Sequence, residues 1–208
     1  MAELVLGFVA EIQLLLHHWH AMNSPLTTLR PAPAAKARFT KAEFLAMAAL
    51  GAFEDMKIEL VDGELERFDL PMSEHGRLQA NVIFGLYRVM AKANDTVLGS
   101  TGIDLDDATV RVCDVAILSG TASRNRLVRP DELFLVVEIA VTTLDRDMGA
   151  KRIDYARAGI AHYWVVDGER RVVHVFADPV SGDYADVRTV KFGAPLAVPG
   201  TGSVITLD

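Results

Sequence analysis

VRVCDVAIL, residues 110–118, and LFLVVEIAV, residues 133–141, decide how this chain is read. Each is an apolar run of strand length broken by one carboxylate, Asp114 in the first and Glu138 in the second. Successive strand side chains point to opposite faces. Val110, Val112, Asp114, Ala116 and Leu118 are therefore expected on one face, and Val136, Glu138 and Ala140 on one face of the other run. As neighbouring strands, the two runs would present both carboxylates on one side of a sheet. A carboxylate among apolar neighbours is costly unless it meets a cation or hydrogen-bond donors. Two in one site also repel, and a hard divalent ion such as Mg²⁺, which takes oxygen ligands, relieves that repulsion. Taken singly, each acid is equally an ordinary solvated strand end.

The stretch that follows carries the third element of the pattern. DMGAKRIDYARA, residues 147–158, reads as helix, and Gly159 stands where it should stop. Asp147, Lys151 and Tyr155 recur at i, i+4 and i+8, nearly on one face. Lys151 then has three outcomes open to it: solvation, an ion pair with Asp147 one turn away, or a reach back to the strand carboxylates.

Upstream, Thr40 and Glu43 have capping-box spacing ahead of FLAMAAL, with Gly51 at the expected end of that helix. IELV and ELERF flank Asp62-Gly63, a tight-turn pair, so a hairpin is expected with Glu59 and Glu64 on its arms. Leu78, Val82, Leu86 and Val89 mark one face of a helix over about 74–93. His75 lies in its first turn, where anions are attracted and a histidine can contact phosphate or act as acid or base, or simply cap the helix. Gln79, one turn on, can support it. Downstream, AHYWVVD and RRVVHVFA read as strands joined at Asp167-Gly168, and a further turn is expected over Pro179–Asp183. Tyr163 and Trp164 are candidates for the core or for a dimer face.

Composition supports one globular domain over 39–208 preceded by an N-terminal extension over 1–38. The chain has 208 residues, half of them hydrophobic, enough for a sizeable core. A single cysteine, Cys113, excludes an intrachain disulfide and a Cys-rich zinc site, and fits a reducing cytoplasm. The apolar N-terminus is interrupted by Glu11 and lacks a basic leader, so an amphipathic helix is expected there and not a signal peptide or membrane span. A second translation start at Met22 fits the Pro- and Ala-rich stretch behind it. His17, His18 and His20 are adjacent in sequence and do not share a helix face well enough to make a metal cluster the first reading. No Gly-rich phosphate loop, Cys-x-x-Cys pair or Gly-x-Ser-x-Gly elbow is present. The loop TASRNRLVR carries Arg124, Arg126 and Arg129, which can contact a nucleic-acid backbone or remain solvated. The net charge of −7 argues against avid nucleic-acid binding, since such domains are usually basic.

The succession IELVDGELERF (58–68), SEHGRLQANVIFGL (73–86), VRVCDVAILS (110–119), LFLVVEIA (133–140) and the segment 147–176 resembles the Uma-two type of restriction endonucleases, a branch of the PD-(D/E)XK nuclease superfamily. The resemblance implies an α/β fold of the restriction-endonuclease kind, a central mixed β-sheet flanked by helices. It further implies a Mg²⁺- or Mn²⁺-dependent endonuclease hydrolysing nucleic acid, DNA above RNA; a homodimer is a separate expectation. Asp114 and Glu138 would hold the metal, with the carbonyl of Ile139 as a further ligand. Lys151, at the spacing Asp-x-x-x-Lys from Asp147, would replace the superfamily's lysine, whose usual position is Ala140. His75, Tyr155 and Glu59 would support them. Cys113 stands where the family usually has Pro, and Val141-Thr142 where it has Ser-Pro. Two other readings follow from those departures and from the acidic balance: a catalytically silent binding module of the same fold, and a phosphoesterase acting on a small nucleotide.

Overall fold

A computed structural model describes residues 36–68, 71–90, 96–120 and 125–208; the amphipathic helix and His17, His18 and His20 expected in the N-terminal extension, the start at Met22, and Arg124 lie outside the described residues. Residues Ala37–Asp208 form one unit. It opens on helix α1 (Lys41–Ala49), whose capping box is complete: Thr40 and Glu43 exchange side-chain and backbone bonds. The hairpin forms as expected, β1 (Lys57–Val61) pairing antiparallel with β2 (Glu64–Phe68). Its turn residues Asp62 (φ 49°) and Gly63 (φ 79°) both take the left-handed conformation that Asp-Gly tolerates best.

Helix α2 (Ser73–Met90) buries Leu78, Val82, Leu86 and Met90. Strands β3 (Thr96–Asp104), β4 (Val110–Leu118) and β5 (Leu133–Ala140) follow. Helix α3 is composite: a turn over Leu144–Arg146, a wider π-helical turn over Asp147–Lys151, and α-helix over Arg152–Arg157. It crosses over to β6 (His162–Asp167), which pairs parallel with β5. β7 (Val172–Val180) and β8 (Asp183–Lys191) complete the meander. The last turn is tighter than expected from Pro179. That residue still pairs with Tyr184 inside the ladder, and the chain reverses at Ser181 and Gly182, both with positive φ.

Among the described residues, eight strands form one mixed sheet in the order β2-β1-β4-β5-β6-β7-β8, with β3 also on β4. A short pair, β9 (Leu196–Ala197) and β10 (Val204–Ile205), closes the chain. Two apolar layers hold helices to the sheet. α2 packs with Val115, Ile117, Val137, Ile139 and Trp164 on one face; α3 packs through Tyr155 and Ala156 with Cys113, Val136, Ala140 and Tyr163 on the other. Tyr163 and Trp164 are thus core residues, fully buried. This is the α/β architecture expected, a mixed sheet between helices.

Candidate active site

The site arises from a fork in the sheet. β3 occupies one edge of β4 from Thr96↔Leu118 to Asp104↔Val110. The other edge is shared: β5 pairs with Val115 to Leu118, while β1 meets β4 at Leu60↔Val110. Between these contacts β4 has no strand beside it, and buried backbone groups there need other partners. Charged side chains supply them. Glu59 Oε1 accepts from the Val112 amide at 3.0 Å, and Lys151 Nζ donates to the Val112 carbonyl at 2.8 Å. Across the gap, the Ile139 amide donates to Asp114 Oδ2 at 2.8 Å.

Asp114 and Glu138 stand one step beyond the last pair of that ladder, Val115↔Val137. Strict alternation would place both on one face; the structure corrects this. Cys113 lies in the α3 layer with Ala116 and Leu118, so alternation breaks at Asp114. On β3, Ser100 faces this break between the pairs Gly99↔Val115 and Thr101↔Cys113 and has φ 40°. Asp114 consequently turns toward α2, where His75 Nε2 lies 3.1 Å from Oδ2 and Gln79 donates to the Asp114 carbonyl at 2.7 Å. An ionised carboxylate only accepts, so His75 carries its proton on Nε2 in this contact. Glu138 keeps the α3 side. Its Oε1 accepts from Tyr155 at 2.8 Å and from Lys151 at 2.9 Å. Both acids line one cleft of about 560 Å³, together with Glu59, His75 and Lys151.

Lys151 therefore takes the third of its three outcomes, and it does not bond Asp147. The π-helical turn sets it and Tyr155 on Glu138, while Asp147 accepts from Thr143 at 2.5 Å and from Arg146 at 3.3 Å. Glu59, on the hairpin, is buried: its Oε1 lies 3.1 Å from Lys151 Nζ and its Oε2 accepts from Arg111 at 2.9 Å. Arg111 is itself buried and also donates twice to Asp154, at 2.9 and 2.6 Å.

Burial dominates the electrostatics. It pushes the Glu138 carboxyl up to about 8, against the pull of Lys151 and with the push of Asp114 and Asp147. Burial also acts upward on Asp114, but the His75 bond, the Ile139 amide and the Lys151 charge outweigh it and hold that carboxyl low. Lys151 stays protonated, because Glu138 and Glu59 more than offset its burial. Tyr155 remains a neutral phenol, held so by burial and then by the Glu138 charge.

The donor set fits a hard cation. Among the described residues Asp114 Oδ1 and Glu138 Oε2 accept no hydrogen bond, so one oxygen of each carboxylate is free on a shared cleft. His75 Nδ1 is buried without a partner among the described residues, as are Arg152 Nε and Trp164 Nε1. No group of three or more His, Cys, Asp or Glu side chains gathers as a metal cage among the described residues. Two carboxylates with a backbone carbonyl suit Mg²⁺, which keeps several waters and takes one or two protein carboxylates.

The loop arginines stand elsewhere. Arg126 is paired with Glu132, and Arg129 lies against Asp131 and Glu132. Their effect shows on Glu132, whose carboxyl is lowered to about 2 by Arg126 and the Arg129 amide. Both line a separate hollow beside Leu45 and Asp104. The cations on the acid-lined cleft are instead Lys57, Arg67, Arg146 and Lys151. Of these, sequence reading singled out only Lys151, and it also passed over Arg111, a strand residue at a position of unremarkable pattern.

The mixed β-sheet flanked by helices is a restriction-endonuclease-like α/β fold. The chain belongs to the Uma2 family, whose model, described as "Putative restriction endonuclease", matches residues 42–208. A crystal structure of a putative nuclease belonging to DUF820 from Anabaena variabilis ATCC 29413 shares the fold, with a TM-score of 0.62. It is 15% identical, and the match covers 79% of this chain and 91% of that one. No curated protein matches the chain.

Proposed function

We propose that the protein is a metal-dependent nuclease that hydrolyses phosphodiester bonds in nucleic acid. The family's description as restriction endonucleases favours DNA as the substrate. The observation that carries the reading is the pair of free carboxylate oxygens, on Asp114 and Glu138, facing one cleft beside a buried lysinium. Asp114, Glu138 and the Ile139 carbonyl would hold Mg²⁺ or Mn²⁺. Such an ion, when bound, lowers the pKa of a coordinated water and offsets charge on the phosphoryl oxygens.

The chain's own groups prepare that site. His75 and the Ile139 amide fix the Asp114 carboxylate in orientation, as outer partners of metal ligands commonly do. Tyr155 and Lys151 do the same for Glu138. Lys151 adds a fixed positive charge where negative charge develops. His75 also lines the cleft.

One observation favours the silent binding module instead. Lys151 Nζ already has three acceptors within 3.1 Å, from Glu138, Glu59 and Val112, which is as many as an ammonium can serve. Titration calorimetry of Mg²⁺ and Mn²⁺ into the wild type and Asp114→Ala, paired with plasmid nicking on the same samples, separates the readings. Binding and nicking that both vanish in the variant support the nuclease. Metal binding without cleavage of any substrate supports the silent module.

A further inference from the structure

Two cations on the cleft have no work within the fold. Among the described residues, Lys57 on β1 and Arg67 on β2 line the acid-bearing cleft and are exposed, and their side chains form neither an ion pair nor a hydrogen bond. The loop arginines are consumed by Glu132 and Asp131. Arg146 is held by Asp147 and stacks on the Phe68 ring at 4.0 Å. Lys151 and Arg111 are buried in carboxylate networks. An unpaired guanidinium is suited to bidentate phosphate contact and an unpaired ammonium to point-charge contact.

Their placement points away from the cut itself. Lys57 lies two residues before Glu59, about 6.8 Å along an extended strand, and Arg67 directly follows Glu66, which reaches Arg111 at 3.4 Å. By strand alternation Lys57 shares the face of Glu59 and Glu66, while Arg67, paired with Ile58, takes the opposite face; both are exposed where they line the same cleft. Around them Met56, Phe68, Pro71 and Met72 give the wall apolar surface on which a base can rest.

We infer that the β1–β2 hairpin is the polynucleotide grip of this site: Lys57 and Arg67 bind backbone phosphates flanking the one to be cleaved. The inference rests on the nuclease reading and deepens it, since a single small nucleotide has no flanking phosphate for these residues to hold. It also replaces the loop of Arg126 and Arg129 as the nucleic-acid contact.

Fluorescence anisotropy of a labelled oligonucleotide, titrated with the full chain in chelator at several salt concentrations, tests it. Each lost phosphate contact should make the slope of log affinity against log salt shallower by about 0.7 for a single strand and about 0.9 for duplex. Lys57→Ala with Arg67→Ala should remove about 1.4 to 1.8 of that slope, and Arg126→Ala with Arg129→Ala should leave it unchanged. An unchanged slope in the hairpin variant, or a fall only in the loop variant, overturns the grip while leaving the nuclease reading intact. If the wild type binds no oligonucleotide yet cleaves a bis-aryl phosphodiester with Mn²⁺, the grip is overturned and the site belongs to a small substrate. Neither binding nor cleavage overturns both.

Discussion

Glu59 Oε1 lies 3.1 Å from Lys151 Nζ, joining a hairpin to the helix that follows β5. The other oxygen of the same carboxylate accepts from Arg111, so one buried acid bridges two buried cations from two different elements, each with a second acid partner. A cation drawn to Glu138 would leave Lys151 still held by Glu59. This makes Glu59 the residue that keeps the lysine in place in either state.

Removing Glu59 should therefore be costly to the fold. Glu59→Ala leaves Lys151 and Arg111 each short of a carboxylate in a site from which water is excluded, a loss of about 3–5 kcal/mol. Urea unfolding checks this, and a change below about 1 kcal/mol, the range of an exposed pair, would contradict the buried-network account.

Stability without metal should depend on pH through Glu138. Its folded value, about 8, exceeds the unfolded value of a glutamate, so the protonated form is the one favoured by folding. Stability from this group is fully present below about 4.5 and is lost as pH rises toward 8. Thermal melting in chelator should show wild type losing stability across that window, and Glu138→Gln should flatten the slope. Added Mg²⁺ should restore stability most at the alkaline end, because it favours the ionised carboxylate.

His75→Ala removes the side-chain donor that orients Asp114. Affinity for Mn²⁺ should fall roughly 10- to 100-fold, the usual cost of losing an outer partner of a metal ligand. Calorimetry measures it, and an unchanged affinity would place His75 outside the site's machinery.

Tyr155→Phe deletes one hydroxyl from Glu138 Oε1 and leaves the ring packed against Tyr163, 5.2 Å between centroids. With Glu138 protonated, loss of this one buried bond should cost about 0.5–1.5 kcal/mol, read as a lower melting temperature. A variant as stable as wild type would show that Lys151 alone satisfies that oxygen.

Much of this was legible from local pattern. The capping box of Thr40 and Glu43, the Asp62-Gly63 turn, the buried face of α2 and the stop at Gly159 all depend on residues a few positions apart, and each appears where spacing puts it. The fork was not legible, because it depends on β1 reaching across the chain to share an edge of β4 with β5, through the pairing Leu60↔Val110. Its consequences were hidden with it: the turn of Asp114 toward His75, the burial of Glu59, and the role of Arg111. The ion pairs of the loop arginines were hidden for a different reason. Their neutralisation by Glu132 requires the short 3₁₀ turn over Pro130–Glu132 to bring that acid back. That the side chains of Lys57 and Arg67 stay unpaired on the cleft is visible only in the folded hairpin.

The most direct test of the central claim is cleavage of supercoiled plasmid and single-stranded DNA in Mg²⁺ by wild type, Asp114→Asn and Glu138→Gln, with each variant's fold verified by circular dichroism. The account predicts cleavage by the wild type that chelator abolishes, and none by either folded variant. Undiminished cleavage by a folded Asp114→Asn or Glu138→Gln would contradict it.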